Sequence, residues 1–388
     1  MATTAELEFQ DSLVATDEPE FDLLCQCCAQ QPLQLRKRLQ SALDWDRVLK
    51  LATHHRVLPA LYFCLENQND VPASIQSAIN ARFAEHARRV LRFSAELKAI
   101  LRHFHRCGVQ VVCHKGPVLS QSLYGDPAMR QFGDLDFLVR STDIPRARAA
   151  LHGLGYEPQV QLSRRQEREY LRSGYEYVFG SGLQKNLVEL QWQVLPHFYS
   201  ISFDMEELFG NTVDFEFEGC STRVLRNEDL LLVLCAHAAK HEWVHLGMLR
   251  DIATLSHFEL DWKAIETAAR QIGIFRIVMV SVLLARDLLG GNLPGSLNSS
   301  TELPAAEVFA NKIRGALVRA EESHPESLRY FQFMVQLRER PQDRRRFLWR
   351  LASTPSVGEW NSVDLPDALF PLYRAVRAAR LARKAWPF

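Results

Sequence analysis

The chain has 388 residues, 47% of them hydrophobic, with 46 Lys and Arg against 46 Asp and Glu. That length and composition exclude a disordered or fibrous protein and predict two or three globular lobes. The zero formal charge argues against a global field for nucleic acid or an anionic membrane, and no stretch is apolar for long enough to span a bilayer.

Residues 1–20 read as a loose acidic tail without a basic-plus-apolar leader, so the cytoplasm is the expected location. From 21 to 106 the periodicity is helical, with breaks at Gln31-Pro32 and from Asn67 to Pro72. Cys25, Cys27 and Cys28 fall within that pattern and have no second pair at zinc-finger spacing, so they read as buried thiols. Residues 107–225 read as a mixed region. Strands are expected at 109–113, 133–139, 175–180 and 186–194, helices at 117–124 and 143–153, and a hairpin within 212–225. LSRRQEREYLRSGYEYVF brings Arg164, Arg165, Arg168 and Arg172 before the third strand, as a solvated charged insert or as a contact for a nucleotide or an acidic substrate, between which spacing alone does not decide.

From 226 to 388 the chain is helical again, with loops at 290–304 and 353–366. His237 and His241 are four apart and share a helix face. HAAKH lacks the Glu that follows the first His of a zinc-protease motif. RAVRAARLARK puts Arg374, Arg377, Arg380 and Lys384 on one stripe, by default a solvated basic face, with an acidic partner or a membrane surface as the alternatives, and Arg344-Arg345-Arg346 reads the same way.

The chemistry concentrates in HKGPVLSQSLYGDPAMRQFGDLDFLV, residues 114–139. Asp134 and Asp136 lie two apart on a strand and so point to one face, with Leu135 and Phe137 on the other. Two adjacent carboxylates repel each other and are costly to desolvate, and a divalent cation removes both costs. Lys115 and Gly116 stand at a strand-to-helix junction, where backbone N–H groups and the helix dipole attract phosphate. Pro117 suits the first helical position. Arg130 precedes Asp134 by four residues. In NLVELQWQV, Val188, Leu190, Trp192 and Val194 form an apolar face, which leaves Glu189 on the polar one as a third carboxylate. These oxygens suit Mg²⁺, or Mn²⁺, shared with a nucleoside triphosphate such as ATP.

The pattern of Lys115-Gly116, helix, Tyr124, Arg130 and Asp134-Leu135-Asp136 resembles the nucleotidyltransferase superfamily. More closely it resembles the bacterial uncharacterised nucleotidyltransferase family, of the kind found in lasso-peptide and other biosynthetic clusters. DWDRVLKLATHHRVLPALY, HAAKHEWVHLGMLRDIATL and LPDALFPLYRAVRAARLARK resemble its flanking elements. The resemblance implies an α+β fold: a small mixed β-sheet core with helices, flanked by N- and C-terminal helical regions. It implies transfer of an NMP group from an NTP to an acceptor hydroxyl. Asp134, Asp136 and Glu189 would serve as catalytic and metal-binding residues. Lys115, Gly116 and Arg130, with His237, Lys240 and His241 turned toward the site, would bind nucleotide. Three departures stand out. Gly116 is followed by Pro117 rather than a serine, Asp134 lies eighteen positions after Gly116, and Gln191 occupies a position where the family pattern suggests His. The acceptor is open among a small molecule, a peptide or protein, and a nucleic-acid end. A non-catalytic nucleotide sensor or scaffold on the same fold, and a metal-dependent phosphodiesterase, are the competing functions.

Overall fold

The computed structural model describes residues 13, 16–29, 32–180, 186–322, 324, 325 and 327–385. The tail expected at 1–20 lies largely outside them. The chain divides into two compact units, each assembled from separated segments: residues 1–85, 238–260 and 278–322 in the first, and 86–237, 261–277 and 323–388 in the second.

The first unit is helical. It opens with α1 (Pro19–Ala29), α2 (Pro32–Leu39), α3 (Trp45–His54), α4 (Leu58–Leu65) and the start of α5 (Ala73–Arg106). Asp44 caps α3 by accepting the Arg47 N–H. Phe21, Leu23 and Leu24 of α1 are fully buried, and Cys25, Cys27 and Cys28 are buried with them. His54, His55 and His245 also meet here. The His54 ring centre is 4.9 Å from His55 and 5.5 Å from His245, and Phe21 meets His55 edge-on at 5.5 Å. Burial, then the neighbouring imidazoles, drops His55 to about 3. Burial, then Arg56, drops His245 to about 4. Both are neutral in the folded unit, whereas the unfolded chain takes up their protons below about 6.5. Stability is therefore fully present above that pH and is lost as pH falls toward 4. Urea unfolding at stepped pH should show this loss, and His55→Leu should flatten it.

The second unit holds a mixed sheet. Its elements in chain order are β1 (Val111–Val112), α6 (Gly116–Tyr124), β2 (Asp134–Val139), α7 (Ile144–Gly153), β3 (Glu157–Pro158), α8 (Arg164–Ser173), β4 (Glu176–Gly180), β5 (Leu187–Gln191), α9 (Met205–Gly210), β6 (Thr212–Phe217) and β7 (Cys220–Leu225). The seven strands run in the order β3-β4-β5-β2-β1-β7-β6. β2 pairs with β5, and β1 with β7, in parallel, and the other neighbours are antiparallel. This is the α+β arrangement that the sequence implied. β1 is shorter than expected, although Cys113 still donates its N–H to the Arg223 carbonyl at 2.8 Å. One face of the sheet is apolar. Leu135, Phe137, Val188, Leu190, Tyr177 and Phe179 bury it beneath α5, whose Phe104 meets Phe137 edge-on at 5.4 Å.

The supposed insert before β4 is α8. Ser163 and Gln166 form a reciprocal capping box at its start. Arg165 stacks on Phe370 at 5.1 Å, while Arg164 and Arg168 stay exposed.

Helices complete the chain: α10 (Asn227–Lys240), α11 (Leu246–Ser256), α12 (Trp262–Ile272), α13 (Phe275–Leu289), α14 (Gly295–Asn298), α15 (Leu303–Val318), α16 (Leu328–Gln336), α17 (Pro341–Ser353), α18 (Val357–Ser362) and α19 (Tyr373–Ala385). Short helices α14 and α18 occupy stretches expected as loops. The basic stripe of α19 is not uniformly solvated. Arg377 is 4% exposed, and it and Arg380 both bind Glu359, which is fully buried. Arg338 is buried too, donating to the Tyr199 carbonyl at 2.8 Å and so tying the C-terminal helices to the sheet unit. Among the described residues no helix is long and apolar enough to cross a membrane.

Candidate functional site

The polar face of the sheet collects the carboxylates. Asp134 and Asp136 project from it by strand alternation. Parallel pairing sets Asp136 opposite Glu189 and Leu138 opposite Gln191. Antiparallel pairing of β4 sets Glu176 opposite Gln191. Asp134, Asp136, Glu189, Gln191 and Glu176 thus share one face of three adjacent strands.

The cation in this cluster belongs to the chain. Lys115 Nζ donates to Asp136 Oδ1 at 2.8 Å, with the two side chains 12% and 1% exposed. Lys115 precedes α6 in an extended conformation, and Gly116 follows with φ of 63°. That left-handed conformation suits glycine and carries the chain into the helix beside the Asp134 carbonyl. Lys115 makes no side-chain cap, so its ammonium is available to the carboxylates.

Gln191 completes the cluster. Its Nε2 donates to Glu189 Oε2 at 2.8 Å, to Asp136 Oδ1 at 3.0 Å and more weakly to Glu176 Oε2 at 3.4 Å. A histidine here would bring a titratable ring, whereas the amide offers a neutral donor between acids.

The electrostatics separate the two paired carboxyls. Burial alone would raise Asp136, but Lys115, His114 and a hydrogen bond with Glu189 bring it down to about 2. Burial, then the charges of Asp136 and Glu176, push Glu189 up to about 9. Glu189 therefore holds a proton at neutral pH while Asp136 is ionised, the pattern expected when like charges share a low-dielectric site. Lys115 is opposed by burial, but Asp136, Glu189 and Asp134 together hold its pKa above the ordinary value. His114 is 3% exposed, and burial, then Lys115, lowers it to about 4.

The donors are hard oxygens, and Asp136 Oδ2 is buried without a hydrogen-bond partner. Among the described residues no three His, Cys, Asp or Glu side chains are arranged to enclose an ion. The set therefore fits a Mg²⁺ that takes one or two carboxylates and completes its shell with phosphate and water, rather than a protein-only cage.

Arg130 is half-buried on the segment leading into β2. His237 lies in the second unit, whereas Lys240 and His241 lie in the first. All three are half-buried. Two site residues escaped the sequence reading. Glu176 was legible from alternation in EYVFG, once β4 was placed beside β5. His114 adjoins Lys115, but nothing in its spacing announces its burial.

A family model described as uncharacterised nucleotidyltransferase matches residues 41–290. The chain belongs to that family. The match takes in both the Asp134-Leu135-Asp136 strand and Glu189, and it supports nucleotidyl transfer as the family's general role. No curated protein and no solved structure matches the chain. The site of this family member thus rests on its own geometry.

Proposed function

We propose that this protein is a metal-dependent nucleotidyltransferase that moves an NMP group from an NTP, such as ATP, to an acceptor hydroxyl. The observation that carries the reading is the single polar face bearing Asp134, Asp136 and Glu189, with Lys115 on Asp136 at 2.8 Å. Asp134 and Asp136 would hold Mg²⁺ or Mn²⁺, which supplies charge neutralisation on the triphosphate. Lys115 exchanges its carboxylate partner for phosphate oxygens. The start of α6 offers uncapped N–H groups, and Arg130 adds a second cation. The acceptor oxygen forms a bond to the α-phosphorus, the bond from that phosphorus to the bridging oxygen breaks, and pyrophosphate leaves. Glu189 first releases its own proton to solvent and then receives the acceptor proton. His237, in the same unit as the carboxylates, is assigned to nucleotide or acceptor contacts. Positioning and charge neutralisation supply most of the rate.

The self-neutralised Lys115–Asp136 pair favours one competing function, a nucleotide sensor that binds without turnover. Incubation with α- or γ-labelled ATP, Mg²⁺ and an extract of the host separates the two. Transfer of the α-label alone to an acceptor supports nucleotidyl transfer. Binding with neither label transferred establishes the sensor, and hydrolysis of a phosphodiester without NTP establishes a phosphodiesterase.

Glu189→Gln sharpens the test, because the amide mimics a carboxyl that is already neutral. Turnover should fall about 100- to 10,000-fold, the range for a lost general base. Stability at neutral pH should hardly change. In the wild type, the raised Glu189 pKa gives stability that is full below its ordinary 4.5 and is lost as pH rises toward about 9. The variant should lack that slope in chemical unfolding.

A further inference from the structure

Residues 323–388 carry twelve Lys and Arg but six Asp and Glu, in a chain whose total charge is zero. They also lie beyond the part matched to the family, which ends at 290. Within this segment α17 turns Phe347 and Leu351 inward, with Phe347 fully buried. Its outward face is unusual. Trp349 is 73% exposed, the most exposed large hydrophobic side chain among those described. Arg345 and Arg346 precede it by four and three residues, so they flank the indole on the same face. Both are exposed, and neither has an acidic partner among the described residues. Arg374 and Arg383 of neighbouring α19 are likewise exposed and without an acidic partner there.

An exposed indole is unfavourable in water and is ordinarily turned inward. Here it stands one helical turn beyond two arginines on the same face. A face for lipid would need a broad apolar stripe. This one has a single aromatic among Gln342, Arg345 and Arg346, with Leu348 at its edge. An aromatic plate with a pair of cations one turn away matches a base stacked on a ring with its backbone phosphates held beside it. We propose that the outward face of α17 is a docking surface for single-stranded nucleic acid, with Trp349 as the stacking platform and Arg345 and Arg346 as phosphate contacts. This goes beyond the transfer reaction and does not depend on it.

The test is fluorescence anisotropy of a labelled mixed-sequence oligonucleotide, as RNA and as DNA, with the full chain across about 50 to 200 mM salt. Asp134→Ala serves as a control and should bind like the wild type. Trp349→Ala should weaken binding by about ten-fold, the scale of one stacked base. The paired substitution Arg345→Ala with Arg346→Ala should reduce the slope of log affinity against log salt by about 1.4, two phosphate contacts on a single strand. These side chains are exposed, so unchanged circular dichroism and melting should accompany both. RNA alone, DNA alone or both binding with this dependence supports the proposal and names the source. It is overturned if neither oligonucleotide binds at the lowest salt, or if binding survives all three substitutions. It is also overturned if Trp349-dependent binding is found only with vesicles containing an anionic phospholipid.

Discussion

Lys115→Met should lower the melting temperature sharply in the absence of divalent cations. The substitution keeps the aliphatic stem but leaves Asp136 ionised in a buried site with its charge unopposed. Removing one member of a buried ion pair costs about 3 to 5 kcal/mol. Some of that loss is recovered when Asp136 takes up a proton. Saturating Mg²⁺ should therefore stabilise the variant more than the wild type, because it supplies the missing charge and meets no ammonium at Asp136. Differential scanning calorimetry with and without Mg²⁺ measures both effects. NTP affinity should also fall, since the same ammonium is assigned to the phosphates. A variant that melts like the wild type and responds equally to Mg²⁺ would remove Lys115 from the site.

Asp136→Asn should have the larger effect on activity. It removes one assigned metal ligand while keeping the shape of the side chain, and turnover should fall by at least about 100- to 1,000-fold, the scale of losing one preorganised electrostatic contact. Stability should fall less than in Lys115→Met. Glu189 is neutral largely because burial and the Asp136 charge hold it so. With that charge gone, Glu189 ionises and becomes the partner of Lys115. The double variant Asp136→Asn with Glu189→Gln leaves Lys115 with neither and should melt well below either single variant. Additive melting losses would show that the two carboxyls do not exchange this role.

The carboxylate pair was legible because strand alternation is a strict rule: Asp134 and Asp136 had to share a face, and Glu189 had to oppose Leu190. The pairing of Asp136 with Glu189 was not, since register between distant strands leaves no mark in either one. The sequence marks Lys115 as a phosphate ligand but not its contact with Asp136, because local sequence does not show how a residue before α6 reaches a strand beyond it. Helix α8 was legible in principle. Its Ser163-x-x-Gln166 box is a helix-start signal, masked by the four arginines around it. The zero net charge hid a local excess of six positive charges in residues 323–388, and the inward turn of Arg377 toward Glu359 could not be read from a basic stripe alone.

The interleaving of the two units has a consequence for synthesis. Neither unit is a continuous stretch of chain. The first gains its final segment only when residues 278–322 have been made, and the second waits for residues 323–388. Folding strictly in order of synthesis, the usual route for large chains, is therefore closed to the second unit until the whole chain is made. The strands that carry Asp136 and Glu189 emerge long before Arg338 arrives to bind the Tyr199 carbonyl. Until then the nascent sheet lacks part of its helical cover and exposes apolar surface. A stop codon after residue 322 should thus yield aggregation and chaperone capture rather than a smaller active enzyme, even though every proposed catalytic residue would be present.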